Sequence, residues 1–421
     1  MADDAAAPWG KGGHPLLSIQ GAWDKIAANV TPIGSTTAAL SEAAGHVLAA
    51  SVWAAEDYPA FDKAMMDGFA VRAADCAASG VELKVLGLVP AGDASSVRVG
   101  AGQAMRINTG APVPSGADAV VKVEQTTPSS DNSSVLIHAA VCPGQHVAKQ
   151  GSDLRMGDTV LTPPVRLGAA QIAAAAAAGA HSVEAYRPVG VATVVTGNEL
   201  VPAGRPRKPG QIFESNGPML TMLLRQFGAE PRSSTIARDT TTELKDRFTE
   251  ALNQPLVLAV GGMSMGTLDL VPQVLAELGV QWAFHGVAVQ PGKPLAYGRG
   301  PAGQHVFGLP GNPVSVFVCA WLFVRMVIRG LQGYLPMKPP QRWRATLAKP
   351  LNASRDPRPA FVPARVWHDE HHGMMTEPCR WGGSGDPFGL AEANALLFLP
   401  TPTEPSEAGR TLDIILTSDG A

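Results

Sequence analysis

The apolar residues between positions 16 and 55 recur at intervals of three and four, which is the spacing of an amphipathic helix. They are Ala22, Ile26, Ala27 and Val30, followed by Ala39, Leu40, Ala43, Val47 and Leu48. Helical spacing returns over 149–182, where the alanine-rich run Gly168–Ala178 lies. We therefore predict two helical segments that belong to one domain.

Residues 56–142 have a different pattern, in which Pro and Gly separate short runs of Val, Ile and Leu. Short apolar runs between turn residues are typical of strands. The predicted strands are Val81–Leu86, Gln103–Ile107 and Val135–Ala140. A β-rich lobe inserted between the two helical segments explains this order.

From Pro188 onward, apolar strand patterns alternate with amphipathic helix patterns. Leu256–Val260 is apolar at every position, as expected for a parallel strand that is covered on both faces. The other predicted elements are strands at Val189–Thr196 and Val306–Phe307, a helix that follows Ser215 and Asn216, and helices at Thr241–Leu252, Asp269–Leu278 and Pro313–Leu331. This alternation predicts a doubly wound α/β domain, in which ligands bind beyond the carboxyl ends of strands.

A linker with Pro336, Pro339 and Pro340 precedes short strand patterns that predict a small β-barrel or sandwich. The expected fold is therefore a multidomain α/β and β protein. Its predicted domains are a helical domain at 14–55 and 149–185, an inserted β-rich lobe at 56–148, an α/β domain at 186–334 and a C-terminal β domain at 335–421.

Composition and charge narrow the functional classes. The chain has 421 residues, of which 45% are hydrophobic and 16% charged, which is normal for a globular protein of several domains. A formal net charge of −3 gives no reason to expect nucleic acid as a partner. The four cysteines form no CxxC pair, which suits a reducing cytoplasm, and we expect Cys319 in the core. Val314–Val324 is too short to span a membrane, and we expect no signal peptide.

Three glycine-containing loops of the α/β domain are candidate ligand-binding segments. Gly308–Ser315 follows an apolar strand, and its Asn312 and Pro313 suit the start of a helix. The unpaired N–H groups and positive dipole end of that helix favour a phosphate. The other two loops are Gly261–Ser264 and Gln290–Pro294. A tight turn before a helix is common, but three such loops in one domain favour a ligand site.

Acidic residues recur in or near turns that contain glycine. They are Asp62, Asp67, Asp118, Asp153, Glu199 and Asp269. Asp favours turns for local reasons, but a group of carboxylates in such loops favours a site for an anion together with Mg²⁺. Lys293 is a candidate phosphate contact, and Thr109 and Ser264 are candidate hydroxyl donors.

Two further patterns suggest chemistries with less support. Gly262–Gly266 fits Gly-x-Ser-x-Gly, and Asp269 and His285 follow its serine in the order of a hydrolase triad, although very closely. A His-x-x-His-His group in a polar turn could hold zinc but has no paired cysteines. Its members are His368, His371 and His372. The chain has no P-loop motif, which disfavours a P-loop NTPase.

Taken together, the motifs resemble those of the molybdopterin molybdenumtransferases of molybdenum-cofactor synthesis, the family that includes the C-terminal domain of gephyrin. The matching stretches follow the family's order over nearly the whole chain. They are 61–71, 106–121, 144–153, 196–200, 215–216, 261–269, 291–294, 308–315 and 383–399. Such a set is far more specific than any single loop.

This resemblance implies a helical dimerisation domain interrupted by the β-rich lobe, a molybdopterin-binding α/β domain and a C-terminal β-barrel. It implies a cytoplasmic homodimer, with each active site between the α/β domain of one subunit and the β-rich lobe of the other. The expected partners are a molybdopterin adenylyltransferase and molybdoenzyme chaperones, with no nucleic acid and no membrane.

The implied reaction inserts molybdate into adenylylated molybdopterin, with Mg²⁺ as cofactor and release of AMP. By resemblance, the catalytic residues are Asp67, Thr109, Asp153, Glu199, Asp269 and Lys293, and the metal ligands are Glu199, Asp239 and Asp269. The expected contacts to molybdopterin are Gly261, Gly262, Ser264, Pro291, Gly292, Pro310, Gly311, Asn312, Ser315 and Ser384.

The chain departs from the family pattern in some of these loops. Gly286 and Gln290 stand where the family usually has lysines, which removes positive charge from the expected anion site. Lys63 replaces an asparagine and could restore part of that charge, and Val260 replaces a serine or threonine. The lost lysines keep open a pterin-binding paralogue without catalysis. A molybdopterin adenylyltransferase is a further alternative, because it shares the α/β domain.

Overall fold

The computed structural model describes residues 15–263, 270–380 and 382–417, which form two compact units. The large unit holds the described residues up to Thr36 and from Tyr186 onward, and the small unit holds Thr37–Ala185. The first helix, α1, is Ile19–Ala27 in the large unit.

The small unit is built around a mixed six-stranded sheet. Its elements, of which the first and last extend by one or two residues into the large unit, are β1 (Ser35–Ala39), β2 (Val52–Trp53), β3 (Lys63–Ala64), β4 (Gly68–Val71), β5 (Val81–Val89), β6 (Gln103–Ile107), β7 (Ala119–Lys122), β8 (Thr126–Pro128), β9 (Ser134–Ile137), β10 (Val147–Ala148), β11 (Thr159–Leu161), α2 (Ala169–Ala177) and β12 (Ser182–Tyr186). The sheet order is β7-β4-β6-β5-β9-β8. Because alternate residues of a strand point to opposite faces, Phe69 and Val71 enter one apolar core and Ala70 enters another.

The helix predicted over Ala39–Leu48 is wrong. The Leu48 N–H donates to the Val165 carbonyl over 2.9 Å, and this long-range pairing holds the segment in turns and bridges instead of a helix. The helical prediction for 149–182 is correct only at α2, because β11 occupies part of the segment and pairs with β2. Local apolar spacing was outweighed in both places by pairing with distant residues.

The large unit contains the predicted doubly wound α/β sheet. Its elements are β13 (Gly190–Thr196), β14 (Leu200–Val201), β15 (Ile212–Phe213), α3 (Asn216–Gln226), β16 (Glu230–Ala237), α4 (Thr241–Ala251), β17 (Leu256–Val260), α5 (Val271–Glu277), β18 (Gln281–His285), β19 (Ala296–Arg299), β20 (His305–Leu309) and α6 (Pro313–Leu331). The sheet order is β16-β13-β17-β20-β19-β18. The first four strands are parallel, and β18 and β19 form an antiparallel edge.

The centre of this sheet explains the uniform apolar run of β17. Leu256, Leu258 and Val260 enter one core, whereas Val257 and Ala259 enter the core on the opposite face. Helices cover both faces, so neither set of side chains can be polar without a loss of burial energy. The predicted strand and its double coverage are confirmed.

Helix α6 is the central helix of the larger core. It is apolar and long enough to cross a membrane by length and composition, but 83% of the apolar window is buried within the protein. Its middle turn, Ala320–Val324, is π-helical. The Trp23 indole N–H of α1 donates to the Leu322 carbonyl in that turn over 3.0 Å. Cys319 is fully buried, as predicted.

The end of the chain forms a closed five-stranded barrel, as the resemblance implied. Its strands are β21 (Trp343–Leu347), β22 (Ala360–Asp369), β23 (Gly373–Pro378), β24 (Ala395–Leu399) and β25 (Thr411–Leu416). The order around the barrel is β21-β23-β22-β24-β25. Closure leaves no open sheet edge, and the apolar residues of alternating positions fill the interior.

Candidate active site

The carboxyl ends of β13, β17 and β20 open into a cavity of about 1260 Å³ within the large unit. These parallel strands are neighbours in the sheet, so the loops that follow them meet at one edge. The lining loops include 197–199, 261–263, 290–294 and 310–313. A typical small-molecule pocket has roughly 300–1,000 Å³, so this cavity has room for a larger ligand.

Glycine is required where the loops approach one another. Gly261 has a φ of +88°, and a Cβ atom there would lie 2.7 Å from the Thr196 carbonyl oxygen. Gly292 has a φ of +127°, and a Cβ atom there would lie 2.8 Å from the Cys319 Sγ. Side chains at these positions would be strained and would also clash, so glycine keeps the cavity floor closely packed.

The residues expected to contact molybdopterin lie together. Those that line the cavity are Gly261, Gly262, Pro291, Gly292, Pro310, Gly311, Asn312, Ser315 and Ser384. Ser264 lies outside the described residues. Loops that are separated by as many as 123 positions along the chain, from Gly261 to Ser384, thus form one surface.

Asn312 and Pro313 occupy the first positions of α6, as predicted, but the asparagine does not cap the helix with its side chain. Its Nδ2 donates instead to the Ser384 Oγ over 2.9 Å. The Ser384 carbonyl also accepts the Val314 N–H over 3.1 Å. These two bonds hold the 383–388 segment against the start of α6.

Two predicted carboxylates line the same cavity. Glu199 is exposed to it on the loop after β13, and Asp239 follows β16. The Asn198 N–H donates to the Asp239 Oδ2, and the Asp239 N–H donates to the Asn198 Oδ1, each over 3.2 Å. This reciprocal pair holds the two loops together. Asp269 lies outside the described residues.

The described part of the chain has no group of three His, Cys, Asp or Glu side chains that could hold a metal by itself. Mg²⁺, however, is often bound through one or two carboxylates together with substrate phosphates. The oxygen donors of Glu199 and Asp239 fit that pattern.

Arg358 is a cavity residue that the sequence reasoning missed. Its Nε donates to Asp356 Oδ1 over 2.9 Å, and its Nη1 donates to the Val289 carbonyl over 2.8 Å. The side-chain bond from Arg358 keeps the pKa of Asp356 below its usual value, and the charge of Lys293 contributes. Arg358, whose charge is paired with Asp356, and the exposed Lys293 are therefore two cationic side chains of the cavity.

The only sequence signal for Arg358 is its positive charge, because no glycine loop or periodic apolar pattern lies at its position. It precedes β22 in a segment rich in arginine and proline. The loop that carries Gln290 reaches it through backbone bonds, since the Gln290 N–H donates to the Pro359 carbonyl over 2.9 Å.

Three buried polar atoms of the cavity residues have no hydrogen-bond partner among the described residues. They are Thr196 Oγ1, Asn216 Oδ1 and Gln290 Oε1. Each of these atoms is buried, so it lies beneath the cavity surface and does not contact the open space. The sequence reasoning placed Asn216 at a helix start, and the structure places it at the start of α3.

The remaining predicted catalytic residues, Asp67, Thr109 and Asp153, lie in the small unit. The Thr109 N–H donates to the Asp67 Oδ1 over 2.7 Å, so the structure brings these two together. Asp153 accepts from the Ser152 hydroxyl over 3.0 Å. Lys63 Nζ lies 5.6 Å from the centre of the Tyr58 ring, also in the small unit.

Two of the other acidic candidates join distant segments of the small unit. Asp62 pairs with Lys149 over 2.7 Å, and Asp118 accepts the Ala73 N–H over 2.7 Å. These contacts hold the small unit together.

The described residues give no support to a hydrolase triad or to a zinc site at the histidine group. His285 donates through Nε2 to the Met263 carbonyl over 3.0 Å, whereas Ser264 and Asp269 lie outside the described residues. In the histidine group, His372 Nδ1 lies 2.8 Å from Asp369 Oδ1. That contact is a local turn interaction of an exposed hairpin.

Three protein-family models match the chain. The MoeA N-terminal region (domain I and II) matches residues 17–179, a probable molybdopterin binding domain matches 192–330, and the MoeA C-terminal region (domain IV) matches 344–417. The matches follow the order of the small unit, the α/β sheet and the barrel.

Curated relatives and solved structures agree with these matches. A molybdopterin molybdenumtransferase of Staphylococcus epidermidis is 32% identical over 410 residues, which is 96% of each chain. One from Nostoc sp. is 36% identical over 381 residues, which is 85% of this chain and 83% of the relative. A crystal structure of a molybdopterin biosynthesis MoeA protein from Pyrococcus horikoshii is 31% identical with a TM-score of 0.80, covering 96% of this chain and 100% of that one.

Proposed function

The chain belongs to the molybdopterin molybdenumtransferase family, and we propose that the cavity of its large unit is the active site for inserting molybdenum into molybdopterin. The protein is thus a transferase of molybdenum-cofactor biosynthesis. The observation that supports this assignment is the lining of one cavity by carboxylates, cations and closely packed glycine loops.

The substrate that suits this cavity is adenylylated molybdopterin. A pterin joined to a nucleotide needs more room than a single small molecule, and the cavity volume of about 1260 Å³ allows it. The start of α6, with Ser315 in its first turn, offers N–H groups and a positive dipole end to a phosphate. Water hydrolyses the phosphoanhydride and AMP leaves, and as the two dithiol sulfurs bind molybdenum their protons depart with one molybdate oxygen as water.

Glu199 and Asp239 would hold Mg²⁺ in this scheme, with Asp269 as a third carboxylate. Bound there, the ion would neutralise charge on the phosphoanhydride between the pterin and the adenylate. The two described carboxylates are held on adjoining loops by the reciprocal bonds of Asn198 and Asp239.

Molybdate is an anionic substrate, and Lys293, Arg358 and Ser384 are the groups we assign to it. The Arg358 guanidinium is held by Asp356 and by the Val289 carbonyl. Its side chain therefore loses little further conformational freedom when an oxyanion binds. Fixed donors of this kind suit a tetrahedral anion better than flexible ones.

We further propose that the protein acts in the cytoplasm as a homodimer. In that arrangement Asp67, Thr109 and Asp153 of the small unit would serve the cavity of the partner subunit. The substrate would arrive from a molybdopterin adenylyltransferase, and the product would pass to molybdoenzyme chaperones.

The test is AMP release by the purified protein from adenylylated molybdopterin, with and without molybdate and Mg²⁺. Glu199→Gln should lower turnover at least about 100-fold, because one charged ligand to the ion is lost. Glu250→Gln, an exposed change on α4 outside the cavity, is the matched control and should keep wild-type turnover. Full activity of Glu199→Gln would show that the site is assigned wrongly.

The same assay separates the two alternatives. A pterin-binding paralogue would bind the substrate and release no AMP. An adenylyltransferase would instead form adenylylated molybdopterin from ATP and molybdopterin. Either result in place of molybdate-dependent AMP release would overturn the proposal.

A further inference from the structure

We propose that the N-terminal segment 16–18, here called the strap, positions Lys293 for oxyanion binding through the backbone of Leu17. This inference rests on the function proposed above, which assigns Lys293 to molybdate. It adds a positioning residue that lies outside the cavity lining. A series of backbone hydrogen bonds leads from the strap to the cavity.

Leu17 pairs with the segment that leads into the cavity loop 290–294. Its N–H donates to the Gly286 carbonyl over 3.2 Å, and its carbonyl accepts the Ala288 N–H over 2.7 Å. The two bonds form a parallel bridge between Leu17 and Val287. Both backbone groups of Leu17 are therefore used to hold this one segment.

The segment held by Leu17 is bonded in turn to the end of the loop that carries Lys293. The Val287 N–H donates to the Lys293 carbonyl over 3.0 Å, and the Gly286 N–H donates to the Leu295 carbonyl over 2.8 Å. Val287 is fully buried between its two neighbours. The strap, the 286–288 segment and the returning end of the loop therefore form three adjoining lengths of backbone.

Gly286 gives the strap its place against this segment. Its φ is +89°, and a Cβ atom there would lie 2.8 Å from the Leu16 Cδ2. A side chain at position 286 would be strained and would also push Leu16 away. Because the glycine has no side chain, the strap lies directly against the backbone that it holds.

Lys293 depends on its backbone for its position in the cavity. Its side chain is exposed, and a lysine stem is flexible. Arg358, by contrast, is held through its own guanidinium by Asp356 and by the Val289 carbonyl. Of the two cations, Lys293 is therefore the one whose position should respond to the strap.

The other side of the loop is held by the barrel. The Gln290 N–H donates to the Pro359 carbonyl over 2.9 Å, and the Phe361 N–H donates to the Gln290 carbonyl over 2.7 Å. If the strap is released, this anchor remains, and only the end of the loop with Lys293 is loosened. A smaller fraction of molecules then has Lys293 within reach of an anion, and the apparent affinity falls by that fraction.

The first experiment uses Leu17→Pro, which removes the N–H that bonds to Gly286 and shortens the side chain. The Kd of molybdate, measured by calorimetry on the full-length protein, should rise at least about threefold, which corresponds to a competent fraction of roughly a third. The number of molybdate sites per chain should not change. In the insertion assay, the KM for molybdate should rise while kcat stays constant, because saturating molybdate restores the competent state.

Leu17→Ala is the matched control, because it shortens the side chain and keeps both backbone bonds. It should lower the stability, since Leu17 packs against the larger core, and leave the Kd of molybdate unchanged. A merely structural strap predicts that Leu17→Pro lowers the number of sites and kcat, because part of the protein misfolds, with Kd and KM unchanged. That result, or an equal rise of Kd in both variants, would overturn the inference.

Ala288→Pro removes the other bond from the opposite side, since it deletes the N–H that donates to the Leu17 carbonyl. It should raise the Kd of molybdate by a similar factor with the number of sites unchanged. If Leu17→Pro does not fold, the result of Ala288→Pro decides the matter.

A double variant tests whether the strap acts through Lys293. Lys293→Met alone should weaken molybdate binding. Adding Leu17→Pro to it should weaken binding no further, because the group that the strap positions is already gone. A further loss as large as the one that Leu17→Pro causes in wild type would show that the strap acts elsewhere, which overturns the inference.

The outcome is separable from that of the proposed function. If wild type binds no molybdate and inserts none, the proposed function fails and this inference fails with it. If wild type and Leu17→Pro bind and insert molybdate equally well, the transferase assignment stands and only the role of the strap is lost.

Discussion

Gln290 is the single residue at which the electrostatics of the cavity can be changed most directly. It lines the cavity, and its Oε1 has no partner among the described residues. Lys293 lies on the same loop, and Arg358 lies beside the neighbouring Pro359. A cation at position 290 would therefore join Lys293 and Arg358 as a positively charged group of the cavity.

Gln290→Lys should strengthen molybdate binding, because it adds a cation that is partly shielded from solvent. We expect the KM for molybdate to fall by roughly threefold to tenfold, the range of one partly buried charge interaction. Initial rates of AMP release at increasing molybdate concentration measure it. Gln281→Lys, an exposed change on β18, adds the same charge outside the cavity and should leave KM unchanged. An equal response of both variants would indicate a long-range charge effect.

A second residue, His305, makes stability depend on pH. It is 3% exposed; Arg299 Nη1 donates to its Nε2 over 3.2 Å, and its Nδ1 lies 2.8 Å from the Tyr297 hydroxyl. Burial, reinforced by the charge of Arg299, lowers the pKa of His305 to about 3. The native imidazole is therefore neutral, with Nε2 as acceptor and Nδ1 as donor.

Because an unfolded histidine has a pKa of about 6.5, the unfolded chain takes up a proton below that pH and the native chain does not. The contribution of His305 to stability is thus complete above about pH 6.5 and is lost as the pH falls toward 3, by up to ~1.4 kcal/mol per pH unit. Urea unfolding at pH 7 and pH 5 should show a smaller difference between the two pH values for His305→Gln than for wild type. An identical difference would contradict this account.

At the scale of elements, sequence patterns were most reliable where local and long-range preferences agree. The strand Leu256–Val260 and the helix Pro313–Leu331 occur as predicted, because uniformly apolar segments are buried whichever neighbours surround them. The helix predicted at Ala39–Leu48 is absent because the backbone partners of this segment, such as Val165, lie more than a hundred residues away. The glycine loops were found from their composition, whereas Arg358 and the orphaned oxygen of Asn216 depend on tertiary contacts that no local pattern records.

The conformation of the loop 290–294 depends on the glycine at position 292. Gly292→Ala should destabilise the protein by about 2–4 kcal/mol, since the new Cβ atom meets Cys319 Sγ and the φ of +127° is strained for alanine. Chemical denaturation measures the loss, and AMP release should fall with it because Lys293 is displaced.

Gly409→Ala is the control that measures the backbone strain of alanine at a positive φ without a steric clash. Gly409 has a φ of +87° in a barrel turn, and a Cβ atom there meets nothing within 4 Å. It should cost about 1 kcal/mol and leave turnover unchanged. A similar loss of stability in both variants would mean that the contact with Cys319 is unimportant.

For the whole molecule, the central question is which chains supply one active site. The cavity belongs to the large unit, whereas the predicted catalytic pair Asp67 and Thr109 belongs to the small unit. The homodimer that we propose would bring the small unit of one chain to the cavity of the other. Shared sites of this kind can be identified by mixing two inactive variants.

Glu199→Gln and Asp67→Asn should each be inactive, but subunits exchanged between them should regain activity. In a mixed dimer, one site carries both changes and the other carries neither. With equal amounts and random pairing, about a quarter of all sites would be intact. AMP release by the mixture measures the recovery. If the mixture stays as inactive as its components, each site is formed within a single chain.

The contact between Trp23 and Leu322 has a consequence for synthesis on the ribosome. The two residues are 299 positions apart, so at about 5–20 residues per second the helix that receives α1 emerges roughly 15–60 s after it. A nine-residue helix is too short to persist in water without a partner. Until α6 has been synthesised, the opening segment of the nascent chain, with its apolar Ala22 and Ile26, therefore lacks the core in which it is buried.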